Sequence, residues 1–237
     1  MNILAVDTSS QDLLVAVKTD SYYEESVTKS MEFKHSERIM DVVLELLSHA
    51  GIKTTDIDLF ACTRGPGSFT GLRIGMAALK GMAFGSGKPL VSVSTLEMWA
   101  NTVKDFNGLT VACLDAKKQR YYIGAFKCSD GKVLRLLPDT DGNTCNLETV
   151  IAEYDNVLVT GPDRESFSSL LEESFPEKNI VSDGRYDISA SSSLIELALK
   201  QFNEKGPDDI GQGPVYLRKS DAEIAYEEKL KAEDSHV

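Results

Sequence analysis

Residues 60–75 contain four glycines around a turn and could bind a ligand at the start of a helix. An apolar run ends at Thr63, a turn follows, and glycines then recur at positions 67, 71 and 75. This spacing predicts a helix that begins near Ser68, a residue type favoured as an N-cap, with two glycines stacked on one face. Each helical glycine costs about 1 kcal/mol relative to alanine. The glycines should therefore permit either close packing on a sheet or a backbone approach to a bound anion.

Two standard nucleotide-binding motifs are absent from this stretch. A P-loop requires Gly-x4-Gly-Lys-Ser/Thr, but Thr70 and Leu72 stand five residues after Gly65 and Gly67. The dinucleotide motif Gly-x-Gly-x-x-Gly fails because Thr70 occupies the position of its third glycine. Gly65, Gly67 and Ser68 therefore remain candidates for facing a phosphate without belonging to either motif.

An internal repeat supplies two carboxylates. Shifting the chain by 108 residues aligns residues 5–17 with residues 113–125 without a gap. In each half the pattern predicts an apolar strand, a polar turn that begins at an aspartate, and a second strand. A cleft between two such lobes could hold a phosphate or Mg²⁺, whereas the simpler interpretation is that each aspartate stabilises its own turn. The candidate residues are Asp7, Thr8, Ser9 and Asp115.

Other catalytic arrangements find little support. His35, His49 and His236 form no His-x-x-x-His or His-Glu-x-x-His pair. A serine nucleophile of the Gly-x-Ser-x-Gly kind is matched only in its first half, at residues 67–69. Metal-dependent hydrolysis and Ser-His-Asp catalysis are therefore disfavoured.

Composition favours one large domain or two small ones, with 237 residues of which 42% are hydrophobic. The net charge of −12 argues against a broad phosphate-contacting surface but leaves room for a local basic patch. The four cysteines (Cys62, Cys113, Cys128 and Cys145) show no Cys-x-x-Cys spacing, so we expect reduced thiols and a cytoplasmic protein. The N-terminal apolar run is too short for a signal or membrane segment, so we expect no membrane association.

The order of predicted elements indicates an α/β fold with two mixed sheets flanked by helices. We expect lobes at residues 1–105 and 106–219, with the last helix able to pack back on the first lobe, and a charged tail at 220–237. The predicted strands are 2–7, 13–17, 21–28, 57–63, 90–93, 132–137 and 157–160, besides the repeat. The predicted helices are 36–50, 68–84, 95–104, 147–154, 165–173 and 191–203, and a Gly/Asn/Asp-rich loop is expected at 138–146.

The helix predicted at 36–50 has an unusually wide apolar face. Its apolar residues cover an arc of roughly 200°, about twice the stripe that a helix on one sheet needs. Either the helix is wedged between its sheet and another element of the chain, or Met40 and Leu44 belong to a partner interface.

Segments over nearly the whole chain carry a resemblance to a known family. The most specific is Arg-Gly-Pro-Gly-Ser-Phe-Thr-Gly-Leu-Arg-Ile-Gly at 64–75. The others are at 3–9, 35–37, 93–97, 114–116 and 216–218. Together they resemble the TsaB family of bacterial tRNA threonylcarbamoyladenosine-biosynthesis proteins. The resemblance implies the two-lobed fold of actin, Hsp70 and sugar kinases (the ASKHA fold), with a duplicated mixed β-sheet flanked by helices.

The resemblance implies a non-catalytic subunit that binds and stabilises the transferase TsaD, together with the ATPase TsaE. TsaD, a larger relative, carries metal-binding histidines where this chain has Thr95 and Trp99, and neither side chain replaces an imidazole. The complex places N6-threonylcarbamoyl on adenosine 37 of tRNA. The resemblance further implies no cofactor held by this chain alone, ATP or ADP only at the junction with TsaD, and little direct tRNA contact. The basic turn at 116–120 departs from the acidic and aromatic segment expected there.

The resemblance also implies that the helix at 36–50 makes both homodimer and TsaD contacts. The alternative function is an ATP-dependent phosphotransferase or ATPase of the same fold, with Asp7 and Asp115 around Mg²⁺. ATP turnover by the isolated chain, lost on Asp7→Ala, would favour that alternative. The interface candidates are Ser36, Ile39, Met40, Val43, Leu44 and Leu47.

Overall fold

The computed structural model of the protein describes residues 1–30, 34–185, 189–219 and Glu223. The elements of the first half are β1 (Ile3–Asp7), β2 (Leu13–Lys18), β3 (Tyr23–Thr28), α1 (His35–His49), β4 (Leu59–Thr63), α2 (Phe69–Ser86), β5 (Leu90–Val93) and α3 (Thr95–Asn101). Those of the second half are β6 (Gly108–Lys117), β7 (Arg120–Ser129), β8 (Lys132–Gly142), α4 (Glu148–Ile151), β9 (Asn156–Thr160), α5 (Arg164–Ser174), β10 (Asn179–Ser182) and α6 (Ser191–Lys205). The charged tail predicted at 220–237 lies outside the described residues, apart from Glu223.

The two halves form five-stranded mixed sheets with the same strand arrangement. The first sheet has the order β3-β2-β1-β4-β5, and the second has the corresponding order β8-β7-β6-β9-β10. In each sheet the central strand pairs antiparallel with the strand that follows it and parallel with the strand on its other side. The predicted duplicated mixed sheet is therefore confirmed.

Strand β1 is covered on both faces of the first sheet. Successive side chains of a strand point to opposite faces. Leu4 and Val6 pack in a cluster with α1 and α2, called the outer cluster below. Ile3 and Ala5 pack on the other face in a cluster with α3 and α6, called the inner cluster. Burial on both faces explains why the sequence of β1 is a continuous apolar run rather than an alternating one.

Helix α6 comes late in the sequence but lies between the two sheets. Leu194, Ile195 and Ala198 belong to the inner cluster together with Ile3 and Ala5 of the first sheet. The same cluster contains buried side chains of β6 and β7 from the second sheet. The lobes therefore share one core. The boundary between residues 105 and 106 stays a prediction.

Several expected boundaries differ from the observed ones. The loop expected at 138–146 is wrong at its start because β8 continues to Gly142. Pro138, which has no N–H to donate, lies in this edge strand at an irregularity of the register, where it interrupts no regular ladder. The helices expected at 95–104 and 147–154 are shorter than predicted. Strand β10 was not predicted, because four residues with one well-buried side chain carry little periodic signal.

The described helices include none that is both long enough and apolar enough to cross a membrane.

Candidate functional site

One stripe of α1 faces solvent. Ser36, Met40 and Leu44 are spaced four residues apart and therefore lie on one side of the helix. All three are exposed, with 40% of Met40 and 55% of Leu44 accessible. This stripe is the part of the predicted interface that a partner could reach.

The other three residues of the predicted interface lie inside the molecule. Ile39, Val43 and Leu47 are buried in the outer cluster. Helix α1 packs against the first sheet and also touches α2, which accounts for the buried part of its apolar arc but not for Met40 and Leu44. These three residues are therefore corrected from interface to core, because side chains packed in a core cannot contact a partner.

Helix α2 adds an apolar surface that the sequence analysis did not single out. Phe84 is 80% exposed. A Cβ placed on Gly81 or Gly85 would meet no atom within 4 Å among the described residues, so contacts within this part of the chain do not require either glycine. Helices α1 and α2 touch each other and pack on the same face of the first sheet. The sequence held a signal for this surface, since Gly81 lies within the helix predicted at 68–84 and Gly85 follows its end.

The turn between β1 and β2 lies directly on the first half of α2. The hydroxyl of Thr8 donates a hydrogen bond to the carbonyl of Gly71 at 2.7 Å. The N–H of Ser68 donates to the carbonyl of Ser9, also at 2.7 Å. A Cβ on Gly71 would lie 2.0 Å from the carbonyl oxygen of Thr8, and one on Gly75 would lie 2.2 Å from the Thr8 hydroxyl. Gly71 and Gly75 therefore permit α2 to pack closely against this turn.

The residues just before α2 are packed in the same way. A Cβ on Gly67 would lie 2.4 Å from the carbonyl oxygen of Ser9. A Cβ on Gly65 would lie 2.6 Å from the carbonyl oxygen of Val215, and its φ of 108° also favours glycine. The Ser68 hydroxyl caps the helix by accepting the N–H of Gly71. Protein backbone therefore packs against Gly65 and Gly67 on the side where a Cβ would lie, which explains why glycine occupies both positions.

A segment that follows α6, residues 206–219 and called the strap below, runs back over the first lobe. Asp208 accepts the backbone N–H of Ser92 at 2.7 Å and so covers the edge of β5. The N–H of Val215 donates to the carbonyl of Arg64 at 2.7 Å. The strap therefore holds the end of the second half against the glycine-rich turn.

Asp7 is buried and its carboxylate already has partners. One carboxylate oxygen accepts the N–H of Ser9 at 2.9 Å and the hydroxyl of Thr63 at 2.6 Å. Burial raises the pKa of Asp7, and hydrogen bonds from Thr63 and Ser9 act against that rise. The bond from the N–H two residues ahead is an Asx turn. This environment suits a turn-forming residue better than a ligand that must stay ionised to bind Mg²⁺.

Replacing Asp7 with asparagine should change how stability depends on pH. Because burial raises the folded-state pKa above the ordinary value of 3.8, protonated Asp7 favours folding. That contribution is present below the ordinary pKa and is lost as pH rises through the raised folded-state pKa. We expect the free energy of unfolding of the native chain to fall relative to that of Asp7→Asn as pH rises above the ordinary pKa of 3.8 and through the raised folded-state pKa, in urea denaturation. A relative rise would show that ionised Asp7 stabilises the fold.

Asp115 has a different environment from its counterpart in the repeat. Its carboxylate accepts the backbone N–H of Lys117 at 2.7 Å and the Lys117 ammonium at 2.8 Å. Its own N–H donates to Asp163 at 2.7 Å. The hairpin reverses through residues 117–119, which all have positive φ. The unexpectedly basic turn therefore supplies a local partner for Asp115.

The phosphate-facing candidates thus divide into two groups. Thr8 and Ser9 lie against Gly67 and Ser68, with Asp7 buried beside them. Asp115 belongs to the second lobe and is bound to its own hairpin. Each aspartate serves its own turn, as the simpler interpretation predicts.

Thr95 and Trp99, which occupy the positions where the resemblance implies metal-binding histidines in TsaD, are buried in this chain. Thr95 is buried at the start of α3, and Trp99 packs in the inner cluster. Among the described residues, no group of three or more His, Cys, Asp or Glu side chains is arranged to hold a metal ion.

Sequence comparisons relate the chain to two kinds of protein. The tRNA threonylcarbamoyladenosine biosynthesis protein TsaB of Bacillus subtilis is 30% identical over 233 residues, which are 98% of this chain and 100% of the relative. The family model for TsaD, tRNA N6-adenosine threonylcarbamoyltransferase, matches residues 27–140. A tRNA N6-adenosine threonylcarbamoyltransferase of Thermodesulfovibrio yellowstonii is 38% identical over 112 residues, which are 41% of this chain and 34% of the relative.

The comparison with solved structures supports the same fold. YeaZ from Pseudomonas aeruginosa matches with a TM-score of 0.76 and 24% identity, covering 91% of this chain and 99% of that one. At this identity the likeness concerns the fold alone. Together with the two sheets, it confirms the expected two-lobed ASKHA-like fold.

Proposed function

Because this chain belongs to the TsaB family and takes part in tRNA threonylcarbamoyladenosine biosynthesis, we propose that it is the non-catalytic subunit that binds and stabilises the transferase TsaD. The ATPase TsaE joins this assembly, which modifies adenosine 37 of tRNA in the cytoplasm. The chain holds no cofactor of its own, and ATP or ADP binds only at its junction with TsaD. Its free cysteines suit a reducing compartment.

The exposed stripe of α1 is the observation that supports this proposal most strongly. Met40 and Leu44 leave much of their apolar surface in water, and Phe84 of the neighbouring helix leaves still more. Methionine and aromatic side chains are enriched in the centres of protein interfaces. Gly81 and Gly85 carry no side chain that would keep a partner helix away from the backbone of α2. We assign this surface of α1 and α2 as the docking face.

The likeness of the first lobe to TsaD suggests how one surface serves two partners. The TsaD family model covers α1 and α2, which carry the docking face. Two related lobes that present corresponding helices can pair about a two-fold or pseudo-two-fold axis. The isolated chain would then pair with a second copy through α1, and TsaD would replace that copy in the working complex.

The first half of the glycine helix has a structural role in this proposal. The Thr8–Gly71 and Ser9–Ser68 contacts fix α2 on the sheet that also carries α1. The candidate carboxylates are bound within their own turns. No observation on the described residues favours the phosphotransferase alternative.

Co-expression with TsaD tests the proposal. We expect a stable complex in size-exclusion chromatography, and restored tRNA modification when TsaE and the remaining substrates are added. The purified chain alone should not hydrolyse ATP appreciably. Steady ATP turnover by the chain alone that disappears in Asp7→Ala would instead support the phosphotransferase.

A further inference from the structure

A small cleft lies between the start of α2, the strap and strand β7 of the second lobe. Its volume is about 200 Å³. Most ligand pockets for whole small molecules measure roughly 300–1,000 Å³, so this cleft suits one ring or one phosphate group rather than a nucleoside triphosphate. Its walls include Gly67, Phe69, Tyr122, Tyr216 and Arg218.

The aromatic wall of the cleft is held in place by a stack. The rings of Phe69 and Tyr216 lie 4.3 Å apart. The guanidinium carbon of Arg73 lies 3.9 Å from the centre of the Phe69 ring, and its Nε donates to the Tyr216 hydroxyl at 2.8 Å. Tyr216 remains 37% exposed although Phe69 stacks on it. Tyr216 is therefore a pre-positioned stacking surface, and Tyr122 contributes a second ring from the other lobe.

Arg218 brings a positive charge to the wall of the cleft. The chain has eight arginines, and six of them have a hydrogen-bonding or ion-pairing partner for the side chain. Arg218 forms no side-chain hydrogen bond or ion pair with the described residues, and neither does Arg64, whose carbonyl holds the strap. The charge of Arg218 lowers the pKa of Tyr122 against the larger raising effect of burial. Arg218 therefore lies near the Tyr122 ring, and its guanidinium makes no bond to the residues that the structure describes.

An aromatic ring available for stacking beside an arginine matches the chemistry of a nucleotide unit. Proteins hold single-stranded RNA by stacking bases on aromatic side chains while arginine and lysine contact the phosphates. The cleft admits one base, and the rest of an RNA strand would lie outside it. We propose that this cleft binds one base of single-stranded RNA while Arg218, in its wall, contacts a phosphate of the same strand.

This site adds a local RNA contact to a chain whose net charge of −12 predicts no broad one. The proposal departs from the expectation of little tRNA contact only at this point of the surface. The assignment rests on the proposed function in one respect, namely that tRNA is the natural RNA. The cleft lies at the junction of the lobes and does not involve Met40 or Leu44, so the two proposals can fail separately.

Fluorescence anisotropy of a labelled tRNA anticodon stem–loop with the full chain tests the site. We expect Arg218→Gln to weaken binding about tenfold and to lower the slope of log affinity against log salt by about 1. Tyr122→Leu should weaken binding by a similar factor because a stacking partner is lost. Arg218 has no side-chain hydrogen bond or ion pair with the described residues to lose, so Arg218→Gln should unfold at the native temperature.

Arg38→Gln is the matched control, because it removes the same charge from an exposed residue of α1 that is paired with Asp41. It should leave stem–loop affinity within about twofold of native. Unchanged binding in both Arg218→Gln and Tyr122→Leu would overturn the site, and so would an equal loss in Arg38→Gln. Free AMP should compete only weakly. AMP binding as tight as stem–loop binding would show a small-nucleotide site instead of an RNA site.

Discussion

Replacing Met40 and Leu44 together with glutamate should weaken TsaD binding at least about 100-fold. Burying one such side chain contributes about 1.5–3 kcal/mol, and an unpaired carboxylate in a dry interface adds a desolvation penalty. Every 1.4 kcal/mol corresponds to a tenfold change in affinity. Titration calorimetry with purified TsaD measures the loss, and light scattering should show weaker self-association of the isolated chain.

Leu170→Glu is the control for this pair. Leu170 is 41% exposed, close to the value for Met40, but it lies on α5 in the second lobe. It should leave TsaD affinity and self-association unchanged. The double variant should also keep the native circular dichroism spectrum, because both substituted side chains already face water. Native affinity in a folded double variant would remove α1 from the docking face.

The second large effect concerns stability. Gly71→Ala should lower the free energy of unfolding by about 3 kcal/mol, because the new Cβ would stand 2.0 Å from the backbone oxygen of Thr8. The gain in helix propensity, about 1 kcal/mol, is too small to offset that overlap. The Thr8 hydroxyl bond to the Gly71 carbonyl would also be strained. Urea denaturation of the isolated chain measures the change.

Gly81→Ala makes the same chemical change on the same helix without an overlap. A Cβ there meets no described atom within 4 Å, so we expect a gain of about 0.5–1 kcal/mol from helix propensity. Opposite signs for the two variants would show that Gly71 is required by packing. Equal small gains would mean that the β1–β2 turn does not press on α2, and the anion-binding interpretation of the glycines would return.

The sequence predicted the fold well where burial is strong and local. The apolar runs of β1 and β6, each followed by or ending in an aspartate, identified these two strands and the repeat. The glycine spacing of α2 and its N-cap at Ser68 were also predicted, since both follow from helix geometry. The two-lobed arrangement followed from the resemblance to the TsaB family, for which residues 64–75 are the most specific segment.

The site was predicted less completely, because a pattern along the chain does not show what covers it. Periodicity placed Ile39, Val43 and Leu47 on the same wide arc as Met40 and Leu44, and only tertiary packing separates core from surface. The strap has no helical or strand periodicity. Its contacts, such as Tyr216 with Phe69, join residues far apart in sequence, and so the cleft beside it was not foreseen.

A reconstituted tRNA modification assay with TsaD, TsaE and this chain tests most directly whether the chain acts by docking. We expect the native chain and Asp7→Asn to support formation of threonylcarbamoyladenosine. The folded Met40→Glu/Leu44→Glu variant should give no more product than reactions that lack the chain. Native product formation with that variant, or its loss in a folded Asp7→Asn that still binds TsaD, would contradict a purely docking role.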